Sequence, residues 1–221
     1  MRQVGRPGPP TSDRQRRHLP AHAARAALAM TDDGGRRRAS NRDEALEMSW
    51  SQLLTGPRRT PDVTASEAAG TGVYAWWGSE YLPWPPDFTP TSITIPLYVG
   101  LAASQTVGKR IAKNHLSSTR RSALRRSLTA LLVDDLKLRP HVERLQAPGK
   151  FTLAPLGERA LTDWMREHLS VSWLATNRPG PVEAAVIAEL LPPLNDVHAT
   201  GSPYRKGLRE LRARICTDVE D

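Results

Sequence analysis

A small α+β domain is the fold class that this 221-residue sequence predicts, behind a basic N-terminal tail expected to be disordered. Two observations carry that reading. The element signals run strand, strand, helix, helix, helix, strand, helix, which is not the regular strand–helix alternation of a doubly wound sheet. The composition also changes near residue 48, from Pro, Gly and Arg to segments with a strand or helix period.

Residues 1–47 hold one short alanine-rich patch and too little other apolar surface to offset their chain entropy. A basic arm tracking phosphates is one reading. A tail without a role, or a true start downstream at Met30 or Met48, is preferred, because no uninterrupted basic block occurs. Residues 48–69 read as a linker or N-terminal extension. "GVYAWW" (72–77), rich in aromatic and β-branched residues after the turn-like "AAGT", reads as a strand. The proline-broken loop "YLPWPPDFTPTS" leads into "ITIPLYVGLA" (93–102), a second strand in which Pro96 is tolerable only near the start or on an edge. The two strands are expected to pair antiparallel.

Val107 and Ile111 stand four apart in "TVGKRIAKNHL", and Leu124, Leu128, Leu131 and Leu132 recur at helical spacing behind a serine cap. Leu161, Trp164, Met165 and Leu169 space a third helix, and "VSWLAT" (171–176) a third strand. Pro181 opens an eleven-residue helix that the double proline 192–193 closes. Leu208, Leu211 and Ile215 build a last amphipathic helix. The boundaries then fall at 1–47, 48–69, 70–198 for the main domain, and 199–221 for the C-terminal helix.

The balance of 31 Lys+Arg against 23 Asp+Glu gives a formal charge of +8, mostly from Arg, which suits phosphate contacts but also follows from an arginine-rich genome. The single cysteine, Cys216, excludes an intrachain disulfide and a cysteine-based zinc cluster, and fits a reducing cytoplasm. No run approaches the roughly 20 apolar residues that cross a bilayer, so no membrane is expected. Nothing bears on oligomeric state.

Tyr74 and Tyr98 each have a glycine within two positions, Gly72 and Gly100; a strand glycine is unfavourable unless a backbone or ligand approaches closely. Taken singly, each tyrosine is an ordinary packing residue. Arg110 flanks the apolar stripe of its helix, with Asn114 and His115 one turn on. Glu183 shares a stripe with Ile187, Leu190 and Leu191, although first-turn placement would also suit the helix dipole, and Glu189 competes with it because the helix is apolar on most sides. Asn195 is ordinarily a turn residue. No metal-ligand histidine pair, phosphate loop or serine elbow is found.

Together "GVY", "YVG", the Arg of "GKRIAKNHL", the Glu of "PVEAAVIAEL" and the Asn of "PPLN" resemble the GIY-YIG nuclease superfamily over roughly residues 70 to 198. The resemblance implies a three-stranded antiparallel sheet flanked by helices, and DNA phosphodiester hydrolysis with one divalent ion, Mg²⁺ or Mn²⁺. It carries over to Tyr74, Tyr98, Arg110, Glu183 and Asn195. Glu183 would hold the metal, Arg110 would supply a second cation, and Tyr74 would be the general base, although only about 0.1% of an unperturbed phenol is ionised at pH 7. Tyr98 would orient the phosphate or share the role of base, and Asn195 would hold the carboxylate or a water. Family members often place His or Tyr four residues after the arginine; here Asn114 stands there and the histidine comes one later, so His115, Asn114 and Lys113 are auxiliary candidates. The long loop between the tyrosines would carry Trp84 toward DNA. Lys109, Arg120, Arg121, Arg125 and Arg126 are expected on the phosphate-facing surface. The alternative class is a DNA- or RNA-binding module that keeps the fold without cutting.

Overall fold

β1 (Gly72–Trp77) is buried along its whole length, because apolar residues on both of its faces meet helices. The computed structural model describes residues 50–86, 94–141 and 151–217. The expected N-terminal tail lies outside them. In chain order the strands are β1, β2 (Tyr98–Ala102), β3 (Pro140–His141), β4 (Thr152–Leu153) and β5 (Ser170–Ala175). The helices are α1 (50–55), α2 (Pro61–Glu67), α3 (Val107–Arg110, running into a wider π turn over Ile111–His115), α4 (Ala123–Leu132), α5 (Pro155–His168), α6 (Pro179–Leu190) and α7 (Arg205–Thr217).

β2, β1 and β5 form the expected three-stranded antiparallel sheet, and β1 is its central strand. Even-numbered side chains of β1, Tyr74 and Trp76, enter the main core with Ile111, Leu124, Leu128, Leu161, Met165 and Leu208. Odd-numbered ones, Val73, Ala75 and Trp77, meet Leu53 of α1 and Val182, Val186 and Ile187 of α6. The leucine stripes of α4, α5 and α7 are therefore the core faces that their spacing predicts. Ser122 caps α4, its Oγ accepting from Arg125 N at 3.1 Å.

Four elements differ from expectation. Residues 50–67, read as linker or extension, are two helices that cover the sheet, and Arg59 forms a bridge with Val171 at the outer edge of β5. β2 begins only at Tyr98, after Pro96, which has no N–H to give a ladder. α6 starts two residues early, at Pro179, so Glu183 lies past the first turn and the helix-dipole explanation for it falls away. β3 and β4 make a small second sheet that no sequence period announced. Among the described residues no helix is long and apolar enough to cross a membrane.

Candidate active site

The β1–β2 register sets the two tyrosines. Tyr74 pairs with Gly100 and Trp76 with Tyr98, so both phenols lie on one face as diagonal neighbours. Gly100 is explained by contact: a Cβ there would lie 2.6 Å from Tyr74 Oη and 2.8 Å from Cζ, so the Tyr74 ring occupies the space a side chain would take. Gly72 has a different cause, since its missing Cβ makes room for the Leu174 carbonyl of β5. One glycine admits a candidate catalytic ring, and the other admits a neighbouring strand.

α3 brings Arg110 and His115. In a regular helix the residue four beyond Arg110 would share its face, and that residue is Asn114. The π turn over Ile111–His115 adds one residue to the turn, so the side chain returning to the Arg110 face is His115, five positions on. The histidine that sits one place late in the sequence is thereby brought into the site. It is fully buried, with Nε2 2.7 Å from Tyr74 Oη and Nδ1 2.8 Å from Ser122 Oγ. Burial, then the Arg110 and Arg125 charges, push its pKa down to about 3, so it is neutral. The Arg110 guanidinium reaches hydrogen-bonding range of the Tyr74 phenol, while its buried Nε has no partner.

Burial holds the Tyr74 phenol well above its ordinary value, with Tyr98 and Glu183 adding to the effect and Arg110 opposing it. Tyr98 is raised by burial and by the Glu183 charge. Arg110 loses by burial but gains more from the two phenols and Glu183, and its pKa rises. These shifts describe one electrostatic group: two phenols, one cation and one carboxylate.

Glu183 and Asn195 meet the outer edge of β2, where strand groups lack a neighbour in the sheet. The Glu183 carboxylate accepts the Leu101 N–H. Asn195 Oδ1 accepts from Val99 N, and its Nδ2 donates to Val99 O, both at 2.8 Å. Each end of the Asn195 amide thus makes one bond to β2 and positions the strand that carries Tyr98, and the side chain lines one cavity with Tyr98 and Glu183. Burial raises the Glu183 pKa to about 7, against smaller opposing effects of Arg110 and the Leu101 N–H. Glu189, its competitor, is exposed.

The donor set suits one hard cation. Among the described residues no three His, Cys, Asp or Glu converge as a cage. Mg²⁺ needs no cage, since it keeps several waters and binds through one or two carboxylates plus substrate phosphates. Half-buried Glu183, whose carboxylate has lost much of its hydration, offers one such carboxylate.

Lys109, Lys113, Arg120 and Arg121 are exposed, and Asn114 is half-buried. Arg125 is not on a phosphate-facing surface: it is 0% exposed, paired with Glu158 at 2.6 Å, and donates to His115 O at 2.9 Å. Its position beside Leu124 and Leu128 on α4 turns it inward, and Glu158 of α5 supplies the counter-charge. Arg126 is half-buried and lines a cavity with Tyr98 and Glu183. Trp84 is partly buried against the main core, donating from Nε1 to Ser79 O at 2.7 Å. Sequence reasoning missed Arg212, which enters that same cavity from α7, and took Ser122 for a helix cap alone. The spacing of α7 marked its apolar stripe but not which of its arginines turns inward.

The family model for the GIY-YIG catalytic domain matches residues 72–214, a span that contains every residue of this electrostatic group. A search of curated proteins and a search of solved structures each return no match. With the match running over more than half of its length, the chain belongs to the GIY-YIG catalytic domain family.

Proposed function

We propose that the chain is a metal-dependent endonuclease that hydrolyses DNA phosphodiester bonds, with Tyr74, Tyr98, Arg110, His115 and Glu183 as its working residues. The observation that carries this reading is the convergence of Arg110 and Glu183 on two phenols, with Arg110 Nε buried and unpartnered. Family members are generally endonucleases, which supports the reaction class.

Hydrolysis needs a water that loses its proton, and positive charge where negative charge grows on the phosphoryl oxygens. Arg110 meets the second need as a guanidinium with free donor capacity. Tyr74 meets the first as a proton acceptor. In the tautomer where Ser122 O–H donates to Nδ1, His115 Nε2–H donates to the phenolic oxygen, and Arg110 donates beside it; both bonds favour the phenolate. Burial above all, then the Tyr98 and Glu183 charges, work against that ionisation. A divalent ion held by Glu183 supplies Lewis-acid charge to the phosphate when bound. Tyr98, at the cavity wall, orients the phosphate, and Asn195 holds the β2 edge that carries Tyr98.

Supercoiled plasmid incubated with Mg²⁺ or Mn²⁺, against EDTA, tests the proposal. Wild type should nick or linearise the plasmid only with metal, and Glu183→Ala should not. Wild type that binds DNA with a steep salt dependence but never cuts would instead favour the non-catalytic binding module.

A further inference from the structure

Arg126 of α4 and Arg212 of α7 enter one cavity of about 300 Å³, which Tyr98 and Glu183 also line. Arg212 is 9% exposed and Arg126 half-buried. Both are held by neutral oxygens. Arg126 Nη1 donates to Thr119 O at 3.2 Å and Arg120 O at 3.0 Å; Arg212 Nη2 donates to Ala123 O at 3.2 Å and to Ser127 Oγ. Neither has a carboxylate partner among the described residues. Asp196, on the same wall, is already engaged by Arg205 and Arg209, each 2.9 Å from its Oδ1.

Two guanidiniums gathered in one cavity with no carboxylate in ion-pair contact are costly, since such charges are normally paired, and the Asp196 charge offsets only part of that cost for Arg212. The strain is visible in Arg212, whose pKa burial and then the Arg126 charge bring down to about 10, and whose buried Nε has no acceptor. An anion entering the cavity would remove the repulsion. Glu183 does not remove it, because its carboxylate accepts from Leu101 and faces Arg110. A cavity of that volume has room for roughly ten waters at about 30 Å³ each, or for a phosphate with part of its hydration.

We propose that Arg126 and Arg212 form a second phosphate subsite, which seats a DNA backbone phosphate neighbouring the one that faces Tyr74 and Arg110. The choice of a nucleic-acid phosphate rests on the nuclease reading; the anion site itself rests on the two arginines. Tyr98 links the two positions, because its phenol feels Arg110 and Glu183 as well as Arg212 and Arg126. The subsite would hold the strand in register so that only one phosphate reaches Arg110.

The test is binding of a labelled DNA duplex of about 20 base pairs in EDTA, over roughly 50 to 200 mM salt. Joint Arg126→Gln and Arg212→Gln substitution should make the slope of log affinity against log salt less negative by about 0.9, the count for one phosphate. Joint substitution by Lys should restore the slope, since charge and not packing sets it. Arg212 is buried, so if its Gln variant fails to fold, Arg126→Gln alone must still flatten the slope. Folded Gln variants with the wild-type slope overturn the subsite, whether or not the protein cuts plasmid. A wild type that never cuts, while the Gln variants lose the slope, removes the nuclease reading and leaves the subsite standing.

Discussion

Gly100→Ala would place a methyl group against a ring that has nowhere to go. The added Cβ would stand 2.6, 2.8 and 2.9 Å from Tyr74 Oη, Cζ and Cε2, short of ordinary contact at 3.4 Å by 0.5 to 0.8 Å. Tyr74 is 0% exposed and its hydroxyl lies 2.7 Å from His115 Nε2, so relief requires moving the ring, the strand pair or both. Overpacking of this kind costs about 1–3 kcal/mol. A displacement approaching 1 Å at a reacting group costs up to about a hundredfold in rate. Urea unfolding in EDTA should show the stability loss, and plasmid nicking with Mg²⁺ should fall about ten- to a hundredfold while the salt slope of DNA binding stays at the wild-type value. A variant with wild-type stability and wild-type cleavage would refute the claim that Gly100 exists to admit the Tyr74 ring.

Glu183 keeps its proton to about pH 7 when folded, against 4.5 for the free side chain, so its contribution to metal-free stability is full below pH 4.5 and lost as pH rises through 7. Mg²⁺ affinity should run the other way, weakening about tenfold per unit below pH 7, and calorimetric titration giving a pH-independent affinity would contradict this. His115 titrates near 3 instead of 6.5, so the stability it supplies is present above pH 6.5 and lost as pH falls toward 3. Urea midpoints should show that acid slope in wild type and not in His115→Gln. Asn195→Ala strands the Val99 N–H and C=O and should cost about 1–3 kcal/mol with Mg²⁺ affinity unchanged; a loss of metal affinity at wild-type stability would make Asn195 a site residue after all. Arg125→Met breaks a buried ion pair and should cost about 3–5 kcal/mol in denaturant unfolding, whereas exposed Arg121→Ala should stay within about 0.5.

Local pattern alone determined the strands around Tyr74, Tyr98 and Val171 and the apolar stripes of α4, α5 and α7, because strand and helix periods report which face of an element meets a core, whereas only the structure separated half-buried Glu183 from exposed Glu189. The same pattern was silent on neighbours such as Arg125 and Arg126, one sealed against Glu158 and the other lining a cavity. That choice depends on partners 33 residues away on α5 and on another helix altogether. Position in the sequence likewise counted Asn114 as one turn from Arg110; only the π turn made His115 the residue that returns to Tyr74. Asn195 stood where a site amide was expected, and only the structure shows that it also completes the edge of β2. Tertiary structure decided these cases because a polar side chain has no face of its own: its role is set by whichever donor, acceptor or charge the rest of the chain brings within about 3 Å of it.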